Sequence, residues 1–407
     1  MRISFNGKLV EEKEIRAGFI GCGSHSFRNL YPTFQFAPVN LVATCDIDKS
    51  KAKAFAAKFG ANAAYDNHRD MLEKEELDAV VITTPDYLHE EHAITCLEKG
   101  VNVLIDKPLA ITVSGCQKII EKSKANDCIA MIGFNLRHDP TLARAKELLD
   151  NGAIGKVFLV ENREFYDGGR SYMGRWNRKQ EFCGGLWIHK GSHDFDVFQW
   201  LLGFPRPVRV SATAGINALD EEHIPFEVEP GKPVGPTCSE CAYVDTCPDK
   251  TLYEGKEWGP EARAVDGYCK DMCIYTSDKD VHDNGISIVE YEGGIRASHM
   301  ECFVTSQGDR LYTIVGLEGQ MEISLSNRTI KIMPRFSRET ILHQIPEAEG
   351  THGGADPRLI DYFVKVVRGE KENTSTLEHG MYSTAVGQAA ELAARENRMV
   401  EIAELFK

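Results

Sequence analysis

The stretch GFIGCGSHS, residues 18–26, follows an apolar run and precedes a sequence with helical character. Gly21 and Gly23 stand where glycines let backbone N–H groups approach a pyrophosphate at a helix N-terminus. Ser26 replaces the third glycine of the usual G-x-G-x-x-G pattern, and a small residue still permits close packing of helix on strand. A tight turn without a ligand is the alternative. We predict that this loop binds a dinucleotide through Gly21, Gly23, Ser24 and His25.

Apolar runs of the same kind recur at regular intervals up to about Asn135. The runs are AGFIG from Ala17, LVATCD from Leu41, AVVITT from Ala79, VNVLID from Val101 and CIAMIGFN from Cys128. Amphipathic stretches lie between them, and two of these end at Gly60 and Gly100, as helices commonly do. The alternation is typical of a doubly wound parallel α/β sheet. We therefore predict a Rossmann domain over residues 1–134.

Asp46 ends the second apolar run. A carboxylate at this place accepts hydrogen bonds from the adenosine ribose hydroxyls and repels a 2'-phosphate. The predicted cofactor is therefore NAD. Lys49 and Lys51 follow closely, so NADP stays an alternative.

The sequence changes character after Asn135. A helix is predicted in DPTLARAKELLDNG, and KVFLVENREFYD has the apolar content of a long strand. Further strands are predicted in VRVSATAG, GISIVEYEGGIRASHMECFV, RLYTIVGLEGQMEISL and RTIKIMP, and two helices in DPRLIDYFVKVVRG and TAVGQAAELAARENR. We predict an α+β domain over residues 135–407 with a large, mostly antiparallel sheet. A polar insertion interrupts it at about residues 217–284.

Composition narrows the classes of function. The 407 residues carry a formal net charge of -14 at pH 7, which argues against binding nucleic acid over a broad surface. No apolar run reaches the roughly 18 residues that a membrane helix needs. The N-terminal sequence MRISFNGKLVEEKEIR lacks the apolar stretch of a secretory signal. We expect a cytoplasmic protein without nucleic-acid or membrane partners.

The insertion holds a cluster of cysteines. PTCSECAYVDTCP contributes Cys238, Cys241 and Cys247, and GYCKDMCIY contributes Cys269 and Cys273. Four thiolates drawn from these five would suit a tetrahedral metal site, and a metal would stabilise a segment that has few large apolar residues. We predict structural zinc at Cys238, Cys241, Cys247 and Cys273. An iron–sulfur cluster and free thiols are the alternatives.

Four motifs together point to a known family. VLIDKPLA occupies residues 103–110, with TTPDYLH at 83–89 and GFNLRHDP at 133–140. A GG...G-x-H-x-x-D segment follows at residues 184–196. With these motifs the chain resembles, over nearly its whole length, the glucose-fructose oxidoreductase, inositol dehydrogenase and rhizopine-catabolism (Gfo/Idh/MocA) family. That family carries Glu-Lys-Pro where this chain has Asp-Lys-Pro at residues 106–108.

The resemblance implies roles for residues at the ends of the parallel strands. Lys107 matches the lysine that binds a substrate hydroxyl and helps to move its proton, and burial beside a cofactor would lower its pKa. Pro108 would stiffen the turn that aims this lysine, through a cis bond if one forms. Arg137 matches a residue of the substrate cleft, with a surface arginine as the alternative. The implied cofactor contacts of these segments are Thr84, Pro85, His89, Asp106 and Lys107.

The histidines in this region also allow a purely structural interpretation. His89 and His92 fit the start of a helix as well as they fit a nicotinamide site. The residues themselves do not decide between the two.

The segment GGLWIHKGSHDFDVF, residues 184–198, carries His189 and His193. A helix is predicted from about residue 191 to 202, with His189 just before its first turn. The resemblance implies that His193 is the catalytic base, which takes a hydroxyl proton as hydride leaves the same carbon. His189 departs from the family, whose members usually have Asp there.

Several consequences of this departure are open. Lys107 and His193 suffice for catalysis, or His189 and His193 share a proton or a metal ion. The H-x3-H-x2-D spacing that ends at Asp196 would suit Zn²⁺ or Mn²⁺, and a histidine pair satisfied in a polar core is the plain alternative. The candidate substrate contacts are Lys107, Arg137, His189 and His193.

Three functions fit this set of residues. The first is an NAD-dependent dehydrogenase acting on the hydroxyl of a sugar, polyol or related compound. The second cleaves glycosides: oxidation of one sugar carbon acidifies the neighbouring C–H, a substituent is eliminated, and the hydride returns. The third is a non-catalytic NAD or redox sensor with the cysteine cluster as its reporter. The resemblance also implies a homodimer or homotetramer.

Overall fold

The N-terminal half of the computed structural model contains two sheets. A small antiparallel pair joins β1 (Arg2–Ile3) and β2 (Leu9–Val10). The second sheet contains β3 (Ile15–Ile20), β4 (Val39–Cys45), β5 (Ala63–Tyr65), β6 (Ala79–Ile82), β7 (Asn102–Ile105) and β8 (Ala130–Ile132). These six strands are parallel and lie in the order β5-β4-β3-β6-β7-β8. The direction of winding reverses between β3 and β6, and doubly wound sheets bind ligands at the carboxyl ends of such neighbours.

Helices connect these strands. They are α1 (Tyr31–Phe34), α2 (Lys49–Phe59), α3 (His68–Lys74), α4 (His89–Glu98) and α5 (Val113–Ala125). The predicted stop at Gly60 is confirmed, because Gly60 caps α2 in the left-handed conformation. A one-turn π-helix, Ser26–Leu30, leads directly into α1 after the glycine loop.

The second half is built on one nine-stranded sheet. Its strands are β9 (Val157–Phe165), β10 (Pro207–Gly215), β11 (Asn284–Tyr291), β12 (Ile295–Cys302), β13 (Asp309–Gly316), β14 (Gly319–Ser324), β15 (Thr329–Pro334), β16 (Ile341–Gln344) and β17 (Val400–Glu401). They lie in the order β16-β15-β14-β13-β9-β12-β11-β10-β17, and only β9 and β12 pair in parallel. The predicted fold class, a Rossmann sheet followed by an α+β domain with a mostly antiparallel sheet, is confirmed.

The helices of this half are α6 (Pro140–Asp150), α7 (Gly169–Tyr172), α8 (Gln180–Cys183), α9 (Leu186–His189), α10 (Ser192–Leu201), α11 (Pro260–Asp266), α12 (Thr351–Val367) and α13 (Leu377–Glu396). The predicted helix near residue 191 is confirmed as α10. His189, however, ends the separate short helix α9. A break at Lys190 and Gly191 therefore lies between the two histidines.

The two C-terminal helices pack in different places. Leu359 and Phe363 of α12 join the apolar core of the N-terminal sheet beside Phe19. Ser383 of α13 donates a hydrogen bond of 2.7 Å to the backbone carbonyl of Ser192. The last helices of the chain thus hold both the Rossmann sheet and the start of α10.

The structure describes residues 2–3, 9–10, 14–34, 37–253 and 259–407. Much of the N-terminal sequence on which the cytoplasmic prediction depends lies outside these ranges. Among the helices of the described residues, none has the length and apolarity needed to cross a membrane.

Candidate functional site

The glycine loop lies at the carboxyl end of β3. Gly21 has φ +103°, and a Cβ there would stand 2.7 Å from the backbone of Thr83, so no other residue fits. A Cβ on Gly23 would meet no atom within 4 Å. The Ser26 hydroxyl hydrogen-bonds the carbonyls of Gly21 and Gly23, at 3.1 and 2.9 Å. Serine in place of the third glycine therefore ties the loop together, and the space beside Gly23 fits a pyrophosphate.

Asp46 follows β4 next to this loop. Its carboxylate accepts hydrogen bonds of 2.8 Å from the Cys22 N–H and 2.9 Å from the Asp48 N–H. These bonds aim the carboxylate across the end of the sheet, where a ribose lies in NAD-binding folds. The two lysines that kept NADP open are both ion-paired: Lys49 lies 3.1 Å from Asp66, and Lys51 pairs with Asp266. This pairing favours NAD.

Lys107 follows β7 in the turn that its cis peptide bond with Pro108 begins, as predicted. Its N–H donates to Asp106 Oδ1 at 2.9 Å, and its Nζ donates to the carbonyl of His189 at 2.8 Å. Burial lowers the pKa of Lys107. On the outer side, His25 Nε2 lies 3.5 Å from Asp106 Oδ2, which brings the glycine loop and this turn together.

His89 connects the Lys107–Pro108 turn to the segment at Thr84. Its Nδ1 lies 2.7 Å from the carbonyl of Pro108, and its Nε2 lies 3.0 Å from the carbonyl of Thr84. Only 1% of its surface is exposed. His89 therefore links the segment at Thr84 and Pro85 to the Lys107 turn, and its effect on a cofactor at this edge would be indirect.

His193 stands in the first turn of α10, inside the site. It is a neutral imidazole, because burial and then the charge of Lys107 lower its pKa well below the ordinary value. Its Nδ1 is buried and has no hydrogen-bond partner among the described residues. A buried ring nitrogen without a partner is suited to accept a proton from a bound ligand.

His189 is held between two side chains. Its Nδ1 lies 2.6 Å from Asp86 Oδ2, and its Nε2 lies 3.2 Å from the Asn177 amide nitrogen. Burial raises the pKa of Asp86 to about 7, and burial followed by Lys107 lowers the pKa of His189 well below its usual range. The pair therefore shares a proton. Asp86, from the Rossmann domain, supplies beside His189 the carboxylate that the family carries at this position.

Charged residues next to each histidine anchor this segment to the sheet. Lys190 Nζ lies 2.9 Å from Glu164 of β9. Arg310 of β13 joins the two anchors, because its Nε lies 2.8 Å from Glu164 and 2.9 Å from Asp194. The Tyr312 hydroxyl donates to Asp194 at 2.6 Å. This network of ion pairs fixes the backbone around both histidines, although Arg310 Nη2 and Asp194 Oδ2 have no hydrogen-bond partner among the described residues.

Arg137, which the family resemblance places at the substrate cleft, is held by protein partners. Its Nε and Nη2 donate to Asp196 at 2.8 and 2.5 Å, and its Nη1 donates to the Thr374 carbonyl at 2.7 Å. Each guanidinium nitrogen thus has a protein partner, and only 7% of the residue is exposed. These contacts favour the alternative of a structural role for Arg137, and substrate binding by this residue stays a prediction. Asp196 is engaged in the same pair, which removes it from the proposed H-x3-H-x2-D metal site.

We expect Arg137→Met to lower the free energy of unfolding by about 3–5 kcal/mol, since it leaves the Asp196 carboxylate buried without its partner. Denaturant unfolding measures this loss, and the double variant Arg137→Met/Asp196→Leu should regain part of it. A variant as stable as the native protein, but with a tenfold higher KM, would restore the substrate-binding assignment.

The metal predictions are not supported. The described residues include no group of three or more His, Cys, Asp or Glu side chains placed to hold a metal ion. Neither the His189–His193 pair nor the described part of the insertion forms such a group. Burial, with a smaller contribution from Cys273 and Cys247, raises the pKa of Cys238 to about 11, which describes a thiol.

His352 is a candidate site residue that the sequence reasoning missed. It has φ +48° and is followed by Gly353 and Gly354, which are also left-handed. Its Nδ1 lies 2.6 Å from Asp356 Oδ2, its ring centroid lies 6.0 Å from that of His25, and its charge acts on His193. The His-Gly-Gly sequence was the available signal, because strained backbone collects at functional sites.

Comparison with known proteins agrees with this geometry. The family model described as "Oxidoreductase family, NAD-binding Rossmann fold" matches residues 15–134, and "Oxidoreductase family, C-terminal alpha/beta domain" matches residues 146–402. The chain belongs to the Gfo/Idh/MocA oxidoreductase family. Its N-terminal domain is thus an NAD-binding Rossmann domain, and the resemblance in its motifs is confirmed.

Relatives in the Gfo/Idh/MocA family carry different names. The putative oxidoreductase YteT of Bacillus subtilis is 28% identical over 367 residues, 83% of this chain and 84% of the relative. Inositol 2-dehydrogenase of Salmonella typhimurium is 30% identical over 51% of this chain and 66% of its own length. D-glucoside 3-dehydrogenase of Escherichia coli is 29% identical over 43% of this chain and 50% of its own length.

Solved structures share the fold. Levoglucosan dehydrogenase in complex with NADH and levoglucosan is 18% identical, covers 96% of this chain and 99% of that one, and has a TM-score of 0.72. An oxidoreductase from Agrobacterium radiobacter in complex with NAD+, L-tartaric acid and magnesium is 16% identical over 96% and 99%, with a TM-score of 0.71. Both carry the two-domain arrangement described above.

Proposed function

We propose that this oxidoreductase transfers hydride between NAD and a carbon that bears a hydroxyl group in a sugar, polyol or sugar derivative. The observation that carries the proposal is a pair of partly buried groups with lowered pKa, Lys107 and His193, beside the glycine-loop edge of the Rossmann sheet. An amine and a neutral imidazole are suited to hold and remove a hydroxyl proton.

Lys107, His193 and the charged residues beside them have distinct parts in the proposed reaction. NAD, held by the Gly21–Gly23 loop and Asp46, would supply the hydride acceptor. Lys107 would donate a hydrogen bond to the substrate oxygen, and His193, as a neutral imidazole, would remove the hydroxyl proton. The network of Lys190, Glu164 and Arg310 keeps His193 in place while the oxygen changes charge.

The names of the relatives support the substrate class. Inositol, a glucoside and levoglucosan are named for three of the similar proteins, and all are polyhydroxylated rings. The polar and charged side chains of this site suit such a ligand, because ring hydroxyls both donate and accept hydrogen bonds.

The deciding experiment incubates the purified protein with NAD and a panel of free sugars, polyols and aryl glycosides. Reduced nicotinamide and released aglycone are followed together. We expect reduced cofactor to accumulate in proportion to a ketone product. If neither signal rises above that of a protein-free control for any compound, the proposed activity is wrong.

A second candidate function is favoured by the Asp86–His189 pair. Elimination from an oxidised sugar needs a base for the C–H beside the new carbonyl, in addition to the base for the hydroxyl. His193 would serve the hydroxyl, and His189 with Asp86 behind it would serve the C–H once its Nε2 is released from the Asn177 amide. NAD is then recycled, and aglycone is released without net reduction.

Asp86→Asn tests this division of roles. We expect elimination to fall by about 10²-fold and hydride transfer by less than about tenfold, because the amide cannot hold the shared proton. In the native protein, elimination should fall as the pH drops through about 7, since Asp86 then takes up a proton and the pair loses its negative charge. The variant should lose this pH dependence.

Asp278→Asn is the matched control for that variant. Asp278 is an exposed aspartate paired with Arg178, at 2.6 Å, outside the site. Equal losses of both reactions in Asp86→Asn would contradict separate bases.

The homodimer or homotetramer stays a prediction. Its support is the presence of exposed apolar side chains on the large sheet, among them Phe158 of β9 and Ile286 and Ile288 of β11. Surfaces of this kind commonly mark contacts between protein chains.

A further inference from the structure

The insertion reaches the adenosine end of the cofactor cleft. Its helix α11 ends at Asp266, and the turn continues through Gly267, which has φ +69°, to Tyr268. The Tyr268 N–H donates to Asp266 Oδ1 at 2.8 Å, which fixes the turn. No motif in the sequence connects this turn with the cofactor, because more than 200 residues separate it from the glycine loop.

Lys51 joins this turn to the Rossmann domain. It lies in the first turn of α2, directly after the segment that carries Asp46, and pairs with Asp266. Only 4% of the Lys51 side chain and 10% of the Asp266 side chain are exposed. The Lys51 ammonium also lies 5.7 Å from the Tyr268 ring centroid. Separating a buried ion pair is unfavourable in free energy, so Lys51 and Asp266 stay in contact.

The same turn faces two other parts of the molecule. Burial raises the pKa of Tyr268, and the charges of Arg175 in the second domain and Arg28 beside the glycine loop oppose that shift. Burial also raises the pKa of Asp46, on which Lys51 and Asp266 act with opposite signs. The turn is therefore close to the ribose-binding carboxylate, the glycine-loop helix and the second domain at once.

We propose that the Asp266–Tyr268 turn forms the outer wall of the adenosine-ribose site and, by pairing with Lys51, excludes cofactors that carry a 2'-phosphate. The inference rests on NAD being the cofactor of the proposed function. A lysine one helical turn beyond the ribose-binding carboxylate would otherwise attract a 2'-phosphate, as cationic residues do in NADP sites. With Asp266 in place, the phosphate would meet two carboxylates and a cation whose charge is already balanced.

The wall also limits how the cofactor leaves. A dinucleotide under the turn is released only when the Lys51–Asp266 contact opens or the turn moves. NADH should therefore dissociate more slowly from the native protein than from a variant without the wall.

The test is a pair of fluorescence titrations of the full-length protein with NADH and with NADPH. In Asp266→Asn we expect the ratio of dissociation constants, NADPH over NADH, to fall about tenfold. In Lys51→Met/Asp266→Asn the ratio should return to the native value, because the lysine whose charge Asp266 balances is gone. Asp245→Asn, the same change at an exposed position of the insertion, should leave the ratio unchanged.

Tyr268→Ala provides a second test that keeps both charges of the buried Lys51–Asp266 pair. We expect stopped-flow release of NADH to become about tenfold faster, with the NADPH to NADH ratio within twofold of the native value. Ratios within twofold of the Asp245→Asn control in Asp266→Asn, together with an unchanged release rate in Tyr268→Ala, would overturn the inference. A native protein that binds neither nucleotide would instead refute the proposed function.

Discussion

Replacing Lys107 by methionine is expected to lower kcat by about 10³-fold while leaving the dissociation constant of NADH within about threefold of the native value. Methionine keeps most of the length of lysine but has no proton to hold. The Lys107 amine also donates to the His189 carbonyl at 2.8 Å, so the loss combines a missing contact to substrate with a looser segment. Turnover and cofactor binding are measured on the same preparation.

The matched control is Lys118→Met, which removes an exposed lysine paired with Glu90 at 2.7 Å in the same domain. It should keep native turnover. A Lys107→Met protein that retained more than a tenth of native kcat would remove this lysine from the reaction. Loss of NADH binding along with turnover would mean that the residue mainly shapes the cofactor site.

The Rossmann half was predictable because its signals are local. A buried parallel strand appears in the sequence as a continuous apolar run. The glycine at residue 21 is part of a recognisable motif, and the structure shows that a side chain there would clash with the Thr83 backbone. The edge strands β5, β16 and β17 were missed. They have three, four and two residues, too few to show a periodicity.

The sequence predicted the residues of the site only where a single short motif identifies the residue without reference to a distant partner. Lys107 and His193 each follow from a short motif, and the structure leaves both partly buried with a lowered pKa. The Asp86–His189 contact joins residues 103 positions apart in different domains, and no spacing rule connects them. Arg137 shows the opposite failure, because its motif is right and its partner, Asp196, could be found only in three dimensions.

His193→Gln is expected to lower kcat for oxidation by about 10³-fold, because the amide nitrogen cannot accept the hydroxyl proton. Glutamine is polar and similar in reach, so the packing around α10 should survive. The control is His223→Gln, an exposed histidine of the insertion that pairs with Asp220 at 2.7 Å. It should retain native turnover.

The pH dependence of this loss distinguishes a catalytic base from a structural histidine. Burial and the charge of Lys107 hold the pKa of His193 well below its ordinary value, so the ring stays neutral throughout the pH range in which an exposed histidine takes up a proton. The ratio of native to variant kcat should therefore be constant across that range. It should shrink only at lower pH, where the native ring takes up a proton and stops accepting one from the substrate. A ratio that already declines through pH 6.5 would mean that His193 titrates like an exposed histidine, and a ratio near one at every pH would exclude it as the base.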